Sequence, residues 1–379
     1  MKDHSLEVHG CHTYDATGAI SPSICLSATF RHPRFGESTG YDYGRVANPT
    51  RESLEKAVAL LERGGRSWAL SSGMAAVQLV FSLLSAGDHV LMSEDLYGGT
   101  VRLAEEVFAD YGITFEYVDV RDLALVGKRM RPETKLVFIE TPSNPMMQIS
   151  DIAALSALAH ENGALLAVDN TFLSPHFQKP LTLGADIVLH SGTKYLCGHN
   201  DVIAGFLVLK DATSAQAKRI ELLAKSAGPN LSALDSWLML RSIKTLGVRV
   251  ERQAENALAI AQWLGTLPEV TEVLYPGLAD HPGYALQQKQ ASGAGGMISF
   301  KVRSAEIAKE ALGRLHLIAF AESLGGVETL LTYPIAQTHA EMPAALLKRT
   351  GLDDKLLRLS VGIEDVEDLK ADLQQALQG

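Results

Sequence analysis

Residues 136–169 decide the fold class, and they read LVFIETPSNPMMQISDIAALSALAHENGALLAVD. The segment predicts a strand at 136–140, a helix at 152–162 that Asp151 caps and Gly163 closes, and a second strand at 165–169. The strand cores at 136–139 and 165–168 are apolar throughout, which is typical of strands that helices cover on both faces. The segment therefore predicts two parallel strands joined by a helix.

The same alternation of helix and strand continues on both sides of this segment. We predict helices from Gly73 and over 100–111, and strands at 89–93, 113–118, 187–190 and 204–209. This order predicts an α/β fold with a mostly parallel, doubly wound sheet. From about residue 250 the pattern changes to long helices with isolated strands at 297–302 and 356–361, which predicts a smaller C-terminal α+β domain.

The first 47 residues look irregular and contain several proline and glycine residues, so they predict an extended arm. A helix is predicted to begin after Asn48-Pro49-Thr50, with Thr50 as its N-cap and apolar residues at helical spacing behind it. We therefore divide the chain into an arm at 1–47, a large domain at 48–248 and a small domain at 249–379.

The composition is that of an ordinary globular protein. The chain has 379 residues, of which 46% are hydrophobic and 21% charged, and its formal net charge is −10. The negative charge and the absence of a basic run argue against a nucleic-acid partner. The longest apolar stretches are far too short to span a bilayer, and the polar N-terminus lacks a signal peptide, so we expect no membrane partner.

The three cysteines, Cys11, Cys25 and Cys197, are odd in number and widely spaced. They form no CxxC pair, which argues against a zinc site or a disulfide framework, and we expect no metal. This cysteine usage predicts a cytoplasmic protein.

Polar residues follow several predicted strands at their carboxyl ends, where ligands of open α/β sheets bind. Tyr97 follows the strand at 89–93, Asn144 follows 136–140, Asp169 ends 165–169, and Lys194 follows 187–190. Each of these positions has an ordinary structural explanation when it is taken alone, such as a turn residue or a solvated lysine. Their convergence at one edge of the sheet predicts a binding site.

The run HSGTKY at 190–195 places the hydroxyls of Ser191 and Thr193 just before the amine of Lys194. A lysine that forms a Schiff base must be neutral to condense with an aldehyde, and nearby hydroxyls can donate to a phosphate. The alternative interpretation is a polar turn before the loop at 197–200.

Together with Lys194, three further sequence features supply what a binding site for pyridoxal 5′-phosphate (PLP) needs. The run Ser71-Ser-Gly-Met74 opens a helix, whose first N–H groups and dipole can bind an anion. Asp169 can pair with a protonated pyridine nitrogen, and Tyr97 can stack on the ring. No dinucleotide-binding or nucleoside-triphosphate glycine motif occurs, which argues against a dehydrogenase.

The chain resembles the PLP-dependent enzymes of cysteine and methionine metabolism over nearly its whole length. The resemblance rests on a joint set of motifs: YGRVANPTR at 43–51, SSGMAA at 71–76, YGGT at 97–100, ETPSNP at 140–145, VDNTF at 168–172, SGTKY at 191–195 and ESLGG at 322–326. It implies the aspartate-aminotransferase-like fold (PLP fold type I) and a homotetramer built from two catalytic dimers. Three small departures, Gly192, Cys197 and Asn200 where the family usually has Ala, Gly and Ser, remove no catalytic group.

The resemblance also implies a role for each matching position. Lys194 and Tyr97 are implied as catalytic residues. Tyr43 and Arg45 are implied as phosphate contacts that the arm donates to a neighbouring subunit. The residues implied to bind the cofactor are Tyr43, Arg45, Ser72, Gly73, Met74, Tyr97, Asn144, Asp169, Ser191, Thr193 and Lys194. Those implied to bind the substrate are Asn144, Arg102, Glu322, Ser323 and Arg358, with Arg358 as the clamp on the α-carboxylate.

The reaction within the family depends on fewer residues. Glu322 resembles the glutamate of members that handle cystathionine at the γ-carbon, and the stretches at 36–40 and 332–334 resemble bacterial cystathionine γ-synthases. The implied reaction joins an O-acylated homoserine to L-cysteine, with Lys194 as Schiff base and proton shuttle. Cystathionine γ-elimination and the sulfhydrylation of O-acetylhomoserine remain alternatives, and so does a PLP-binding protein without turnover.

Overall fold

The structure, a computed structural model, describes residues 1–10 and 17–378. Cys11 and the neighbouring part of the predicted arm lie outside the described residues. Two β-sheets organise the chain. Their strands are β1 (Arg66–Leu70), β2 (His89–Ser93), β3 (Thr114–Val118), β4 (Thr134–Glu140), β5 (Leu165–Asp169), β6 (Ile187–Ser191), β7 (Gly205–Leu209), β8 (Val270–Leu274), β9 (Met297–Val302), β10 (Ala319–Phe320), β11 (Leu330–Thr332) and β12 (Leu356–Ser360).

Helices pack against both sheets. They are α1 (Asp3–His9), α2 (Pro49–Leu61), α3 (Gly73–Phe81), α4 (Gly98–Leu103), α5 (Leu123–Arg129), α6 (Ile152–Glu161), α7 (Ser174–Phe177), α8 (Ala215–Ala227), α9 (Ala233–Ile243), α10 (Leu246–Leu264), α11 (Tyr284–Gln290), α12 (Ala305–Arg314), α13 (Ala344–Thr350) and α14 (Val366–Gln378). None of the described helices is both long and apolar enough to cross a membrane.

The first sheet has the strand order β1-β7-β6-β5-β4-β2-β3 and confirms the predicted doubly wound architecture. Every neighbouring pair is parallel except those that involve β7, which runs antiparallel to β1 and β6. Strands β2 and β7 are buried along their whole length, which explains the apolar runs at 90–92 and 206–209. The carboxyl ends of β4, β5 and β6 therefore lie at one edge of this sheet.

The second sheet has the order β10-β11-β12-β9-β8 and belongs to the C-terminal part of the chain. The strands that the sequence predicted at 297–302 and 356–361 are confirmed as β9 and β12. They pair with each other, and Arg358 lies opposite Ser299. The sequence pattern missed β8, β10 and β11. Strand β8 is partly exposed, β10 has two exposed residues, and β11 is buried but has only three residues, which is too short a run to mark a strand in the sequence.

The N-cap of helix α2 lies two residues before the predicted cap. Asn48, not Thr50, is the N-cap, since its Oδ1 accepts from the N–H groups of Thr50 (3.0 Å) and Arg51 (3.2 Å). The Thr50 hydroxyl instead accepts from the Cys25 N–H at 2.9 Å and so fastens the preceding segment to the helix. The prediction of Thr50 as the cap is therefore wrong, although the helix itself is confirmed.

The remaining predicted elements agree with the structure apart from their ends. Asp151 caps α6 as predicted, and the predicted strand ends agree with the structure to within two residues. The helix predicted over 100–111 is α-helical only to Leu103 and continues as a π-helical and then a 3₁₀ turn.

The N-terminal region is not irregular throughout, because α1 packs on α2 and α10 of the same chain. From residue 17 to residue 47 the chain is largely exposed, and apolar side chains such as Leu26 and Phe35 face solvent. The division into segments 1–47, 48–248 and 249–379 stays a prediction, and its second boundary falls in the first turn of α10.

The start of β7 touches the start of α3 with no room for a side chain. A Cβ on Gly205 would lie 1.9 Å from the Ser72 carbonyl oxygen and 2.8 Å from the Gly73 nitrogen. We expect Gly205→Ala to lower the free energy of unfolding by at least about 1–3 kcal/mol, because backbone atoms cannot move aside as side chains do. Urea denaturation monitored by circular dichroism measures the change.

Gly313→Ala in α12 is the matched control, since a Cβ there meets nothing within 4 Å. It should raise stability by up to about 1 kcal/mol through helix propensity. Equal effects of the two substitutions would contradict the close approach at Gly205.

Candidate active site

A cavity of about 280 Å³ lies at the carboxyl ends of β4, β5 and β6 and extends to residues of the second sheet. Most of the predicted site residues line it. They are Ser72, Gly73, Met74, Tyr97, Asn144, Asp169, Ser191, Thr193, Lys194, Glu322, Ser323 and Arg358. The register explains this convergence, because Glu140 pairs with Asp169 at the ends of β4 and β5, and Ser191 pairs with Gly205 at the other end of the same edge.

Lys194 lies in the loop after β6, and its side chain points into the cavity. Its Nζ donates a hydrogen bond to the Ser323 Oγ at 2.8 Å. Burial, together with the positive charge of Arg358, lowers the pKa of Lys194 to about 8, although Glu322 opposes the shift. Near neutral pH far more of this amine is therefore unprotonated than of an ordinary lysine, and a nucleophile or a proton acceptor requires that form.

The wall beside Lys194 is built to hold an anion. Ser72 is the N-cap of α3, and the first N–H groups of a helix have no acceptor within it. A Cβ on Gly73 would lie 2.9 Å from the Cβ of Ser191, so only glycine lets the helix start approach the end of β6. The Thr193 hydroxyl also belongs to this wall, where it exchanges hydrogen bonds with the backbone of Ala204 at 3.0 and 3.3 Å.

Asp169 ends β5 at the floor of the cavity. Its Oδ1 accepts from the N–H of Thr171 at 3.0 Å and from the Thr171 hydroxyl. Burial raises the pKa of the Asp169 carboxyl, while Thr171 and His190 act in the opposite direction. A buried carboxylate of this kind is stabilised by a cationic donor, and a pyridinium N–H is such a donor.

Glu140 also lines the cavity, and the sequence analysis gave it no role. Its Oε2 accepts from the Tyr97 N–H at 3.1 Å and so fixes the residue that carries the aromatic ring. Burial, and then the neighbouring charge of Asp169, raises the pKa of Glu140 well above its ordinary value. The position at the end of a buried strand was the available signal, since Asp169 was found in that way.

The Tyr97 ring folds over the start of α4. A Cβ on Gly99 would lie 2.5 Å from the Tyr97 Cε1, so glycine at this position is what leaves space for the ring. The ring itself is 39% exposed and forms part of the cavity wall, where it can cover a planar ligand.

Arg358 is a buried cation without a carboxylate partner among the described residues. Its Nη1 donates to the Asn144 Oδ1 at 2.7 Å, and its Nη2 lies 3.4 Å from both the Ser323 carbonyl and the Thr332 hydroxyl. Its Nε has no hydrogen-bond partner there, and burial lowers the pKa of Arg358 to about 10. A ligand carboxylate satisfies both the charge and the free donor.

Ser323 connects the two basic groups of the cavity. Its hydroxyl accepts from Lys194 and its carbonyl accepts from Arg358, while its backbone has φ of 93°, a left-handed value that is uncommon for serine. This conformation turns the hydroxyl and the carbonyl toward different partners. The preceding residue, Glu322, is exposed and stands at the mouth of the cavity.

Three predicted site residues do not line the cavity of this chain. Arg45 lies over the Tyr43 ring, 5.6 Å from its centroid, and donates to the Lys225 carbonyl. Arg102 forms an ion pair with the exposed side chain of Glu341. Their predicted roles in cofactor and substrate binding stay predictions.

The residues present fit PLP. The cavity combines an amine with a lowered pKa, a helix start that can hold a phosphate, a buried carboxyl for a cationic ring nitrogen and an aromatic face. Each of these groups is positioned by backbone contacts that do not depend on the ligand.

Comparison with known proteins gives the same family along the whole chain. The family described as Cys/Met metabolism PLP-dependent enzyme matches residues 4–378. Cystathionine gamma-lyase of Bacillus subtilis (strain 168) is 47% identical over 379 residues, which is 100% of both chains. Cystathionine beta-lyase MetC of the same organism is 46% identical over 365 residues, which cover 96% of this chain and 93% of the relative.

Among solved structures, the cystathionine gamma synthase from Xanthomonas oryzae pv. oryzae, in complex with aminoacrylate and cysteine, has a TM-score of 0.96 and 41% identity, and the match covers 100% of this chain and 98% of that one. These matches confirm the fold class and the cofactor that the sequence predicted. The activities of the relatives differ, but their family does not, and the chain belongs to the PLP-dependent enzymes of cysteine and methionine metabolism.

Proposed function

We propose that this enzyme joins an O-acylated homoserine to L-cysteine and so forms cystathionine. The C–O bond at the γ-carbon of the homoserine breaks, and a C–S bond to the cysteine sulfur forms. The acyl group leaves as a carboxylate, and the thiol gives up its proton.

The observation that carries this proposal is the pair of opposite charges on either side of Lys194. Arg358 is buried and lacks a carboxylate partner among the described residues, whereas Glu322 is exposed at the mouth, and both act on the charge of Lys194. When Arg358 binds the α-carboxylate of the homoserine substrate, the reacting carbons of that substrate lie near the Lys194 amine. A second amino acid that enters behind them carries an ammonium group, which Glu322 can attract.

Residues of this chain would hold PLP as follows. Ser72, Gly73, Met74, Ser191 and Thr193 would hold the phosphate, Asp169 the ring nitrogen, and Tyr97 the ring face. Bound PLP supplies an electron sink that makes the α-proton of an attached amino acid acidic.

Lys194 then acts as general base and general acid. Its Nζ, held by the Ser323 Oγ and weakened as a base by burial, removes the α-proton and delivers it to another carbon of the substrate. Asn144, which accepts from the Arg358 Nη1, keeps the guanidinium in place for the substrate carboxylate. Glu140 keeps Tyr97 in place by accepting a hydrogen bond from its backbone N–H. The carboxylate clamp and the aromatic wall of the site are therefore both held by hydrogen bonds.

The γ-elimination of cystathionine is a second candidate, which the 47% identity to a cystathionine gamma-lyase favours. It uses the same α-proton removal by Lys194, but the C–S bond at the γ-carbon breaks and cysteine leaves with a proton on its sulfur. No thiol adds, and water releases the remaining four carbons as 2-oxobutanoate and ammonia. Inorganic sulfide in place of cysteine gives the third member of this group, the sulfhydrylation of O-acetylhomoserine.

The products formed from defined substrates test the proposed reaction. We expect cystathionine to accumulate when O-acetylhomoserine or O-succinylhomoserine is supplied together with cysteine, because the thiol captures the γ-carbon. Each substrate is also assayed alone, and cystathionine is assayed separately, with products identified by mass spectrometry and the Lys194→Ala variant as the blank. Homocysteine and pyruvate as the main products from cystathionine would replace the proposal with β-elimination.

Glu322 is expected to recognise the distal ammonium group. Glu322→Ala should raise KM for cysteine or cystathionine by a factor of about five relative to the KM for O-acetylhomoserine in its reaction without cysteine, since an exposed charge contact contributes on the order of 1 kcal/mol. Glu328→Ala is the matched control, because Glu328 is also exposed and its carboxylate binds Asn200 instead of lining the cavity. Equal changes for both kinds of substrate would leave Glu322 without this role.

We also propose that Tyr43 and Arg45 complete the phosphate site of a neighbouring subunit in a dimer. The support is the exposed course of residues 17–47 and the exposure of apolar side chains there, including Ile20 and Phe35. Neither Tyr43 nor Arg45 lines the cavity of its own chain, which is what a donated residue requires.

Mixed oligomers test this donation. Lys194→Ala alone should lose at least about 100- to 10,000-fold in kcat, since general acid–base catalysis contributes that much. Arg45→Ala alone should bind PLP weakly. When the two variants are unfolded, mixed and refolded together, roughly a quarter of the wild-type activity should return, because random pairing leaves one complete site in each hybrid dimer. No recovery in verified hybrid dimers would place Arg45 in its own chain's site or in none.

A further inference from the structure

A cluster of two histidines and two glutamates lies outside the cavity, at the junction of α1, α7 and α10. His4 and Glu7 belong to α1, His176 to α7 and Glu251 to α10. One ligand atom from each of His4, Glu7 and His176 can be chosen so that all three lie within 4.8 Å of one another. This is the one such group among the described residues.

The rings of the two histidines lie between the two carboxylates. Glu7 faces the Nδ1 atoms, at 3.5 Å from His4 and 2.7 Å from His176. Glu251 faces the Nε2 atoms, at 3.2 Å from His4 and 3.3 Å from His176. Each imidazole therefore has one nitrogen directed to the buried carboxylate and the other to the carboxylate nearer to solvent.

The backbone at the start of α10 lies in close contact with this cluster. Glu7 is 2% exposed, and its Oε2 accepts from the Gly247 N–H at 3.1 Å in the first turn of α10, where the helix dipole favours a negative charge. A Cβ on Gly247 would lie 2.6 Å from the Glu7 Oε2 and 2.7 Å from the His4 Nδ1. Glycine at this position is therefore what leaves room for both groups.

We propose that His4, Glu7 and His176 bind a divalent transition-metal ion, with zinc as the best match. Two imidazole nitrogens and one carboxylate oxygen form a ligand set that zinc uses together with a water molecule. Zinc–ligand bonds of about 2.0–2.2 Å place tetrahedral ligand atoms about 3.3–3.5 Å apart, so small side-chain movements complete the geometry. The ion also neutralises the two negative charges that neutral histidines leave uncompensated.

Glu251 has the role of a supporting carboxylate in this site. Metal-bound histidines commonly donate their second N–H to a carboxylate, which fixes the tautomer and the ring orientation. With Nδ1 of both rings on the metal, both Nε2–H groups face Glu251. The cysteine spacing of the sequence predicted no metal site, but these ligands come from two helices that are far apart in sequence and include no cysteine.

A bound ion would join the N-terminal helix α1 to α7 through its ligands and to α10 through Glu251. Helix α7 begins five residues after Asp169, and α10 is the longest described helix. The site therefore ties α1 to the region behind the cavity without contributing a group to the cavity itself.

Zinc retention by the intact PLP-loaded enzyme tests the site. The protein is treated with EDTA, passed through a desalting column and equilibrated with zinc chloride at pH 8. Metal content is measured by inductively coupled plasma mass spectrometry, and affinity by competition with a chromophoric chelator. We expect about one zinc ion per chain, and at least a roughly tenfold weaker affinity for His4→Ala, His176→Ala and Glu251→Gln.

His4→Ala is the most informative variant, because the His4 side chain is 59% exposed and its loss should leave the fold intact. His160→Ala is the matched control, since His160 forms a 2.8 Å pair with Asp186 outside any three-ligand group of the described residues. Its zinc affinity should equal that of the wild type. Failure of the wild type to retain zinc would show a hydrogen-bonded ion-pair cluster instead of a metal site. Zinc retention by His4→Ala and His176→Ala equal to that of the wild type would show the same.

Discussion

The hydrogen bond from the Lys194 Nζ to the Ser323 Oγ joins the two parts of the molecule across the cavity. Lys194 follows a strand of the first sheet, and Ser323 precedes the last two strands in the chain. Arg358, on β12, makes a second connection through the Asn144 side chain, and the Ser299 hydroxyl makes a third by donating to the Pro145 carbonyl at 2.6 Å. These polar contacts, together with the apolar packing of Met297 and Leu324 against the core of the first sheet, hold the second sheet over the carboxyl edge of the first, and the cavity lies between them.

These contacts bury charged groups that lack full compensation within the described part of the chain. Burial raises the pKa of Asp169 and of Glu140, and it lowers the pKa of Lys194 and of Arg358. A fold selected for stability alone would not keep such groups in its interior, since buried charges are expensive to desolvate. They are retained where a charged ligand restores the balance, and a phosphate, a cationic ring and a carboxylate together match the groups that stand unpaired.

The sequence predicted six of the seven strands of the first sheet, because most of them are buried and an apolar run between turn residues marks such a strand. It missed β1, whose sequence RSWAL begins with two polar residues. It predicted the cavity because side chains at neighbouring strand ends must meet. It did not find Glu140, whose carboxylate acts through the backbone of a residue far away in sequence. The histidine and glutamate cluster was also missed, since His4, His176 and Glu251 become neighbours only when three helices pack.

The antiparallel course of β7 has a consequence for folding. Strands β6 and β7 are adjacent in the sheet and are separated by residues 192–204, the shortest connection between neighbouring strands of that sheet. Every parallel neighbour requires a longer crossover, with a greater entropy of loop closure. Contacts close in sequence form fastest, so the β6–β7 hairpin is the part of this sheet that can assemble before the others. We therefore expect the loop that carries Lys194 to be in place early, so that the second sheet closes over a lysine that is already positioned.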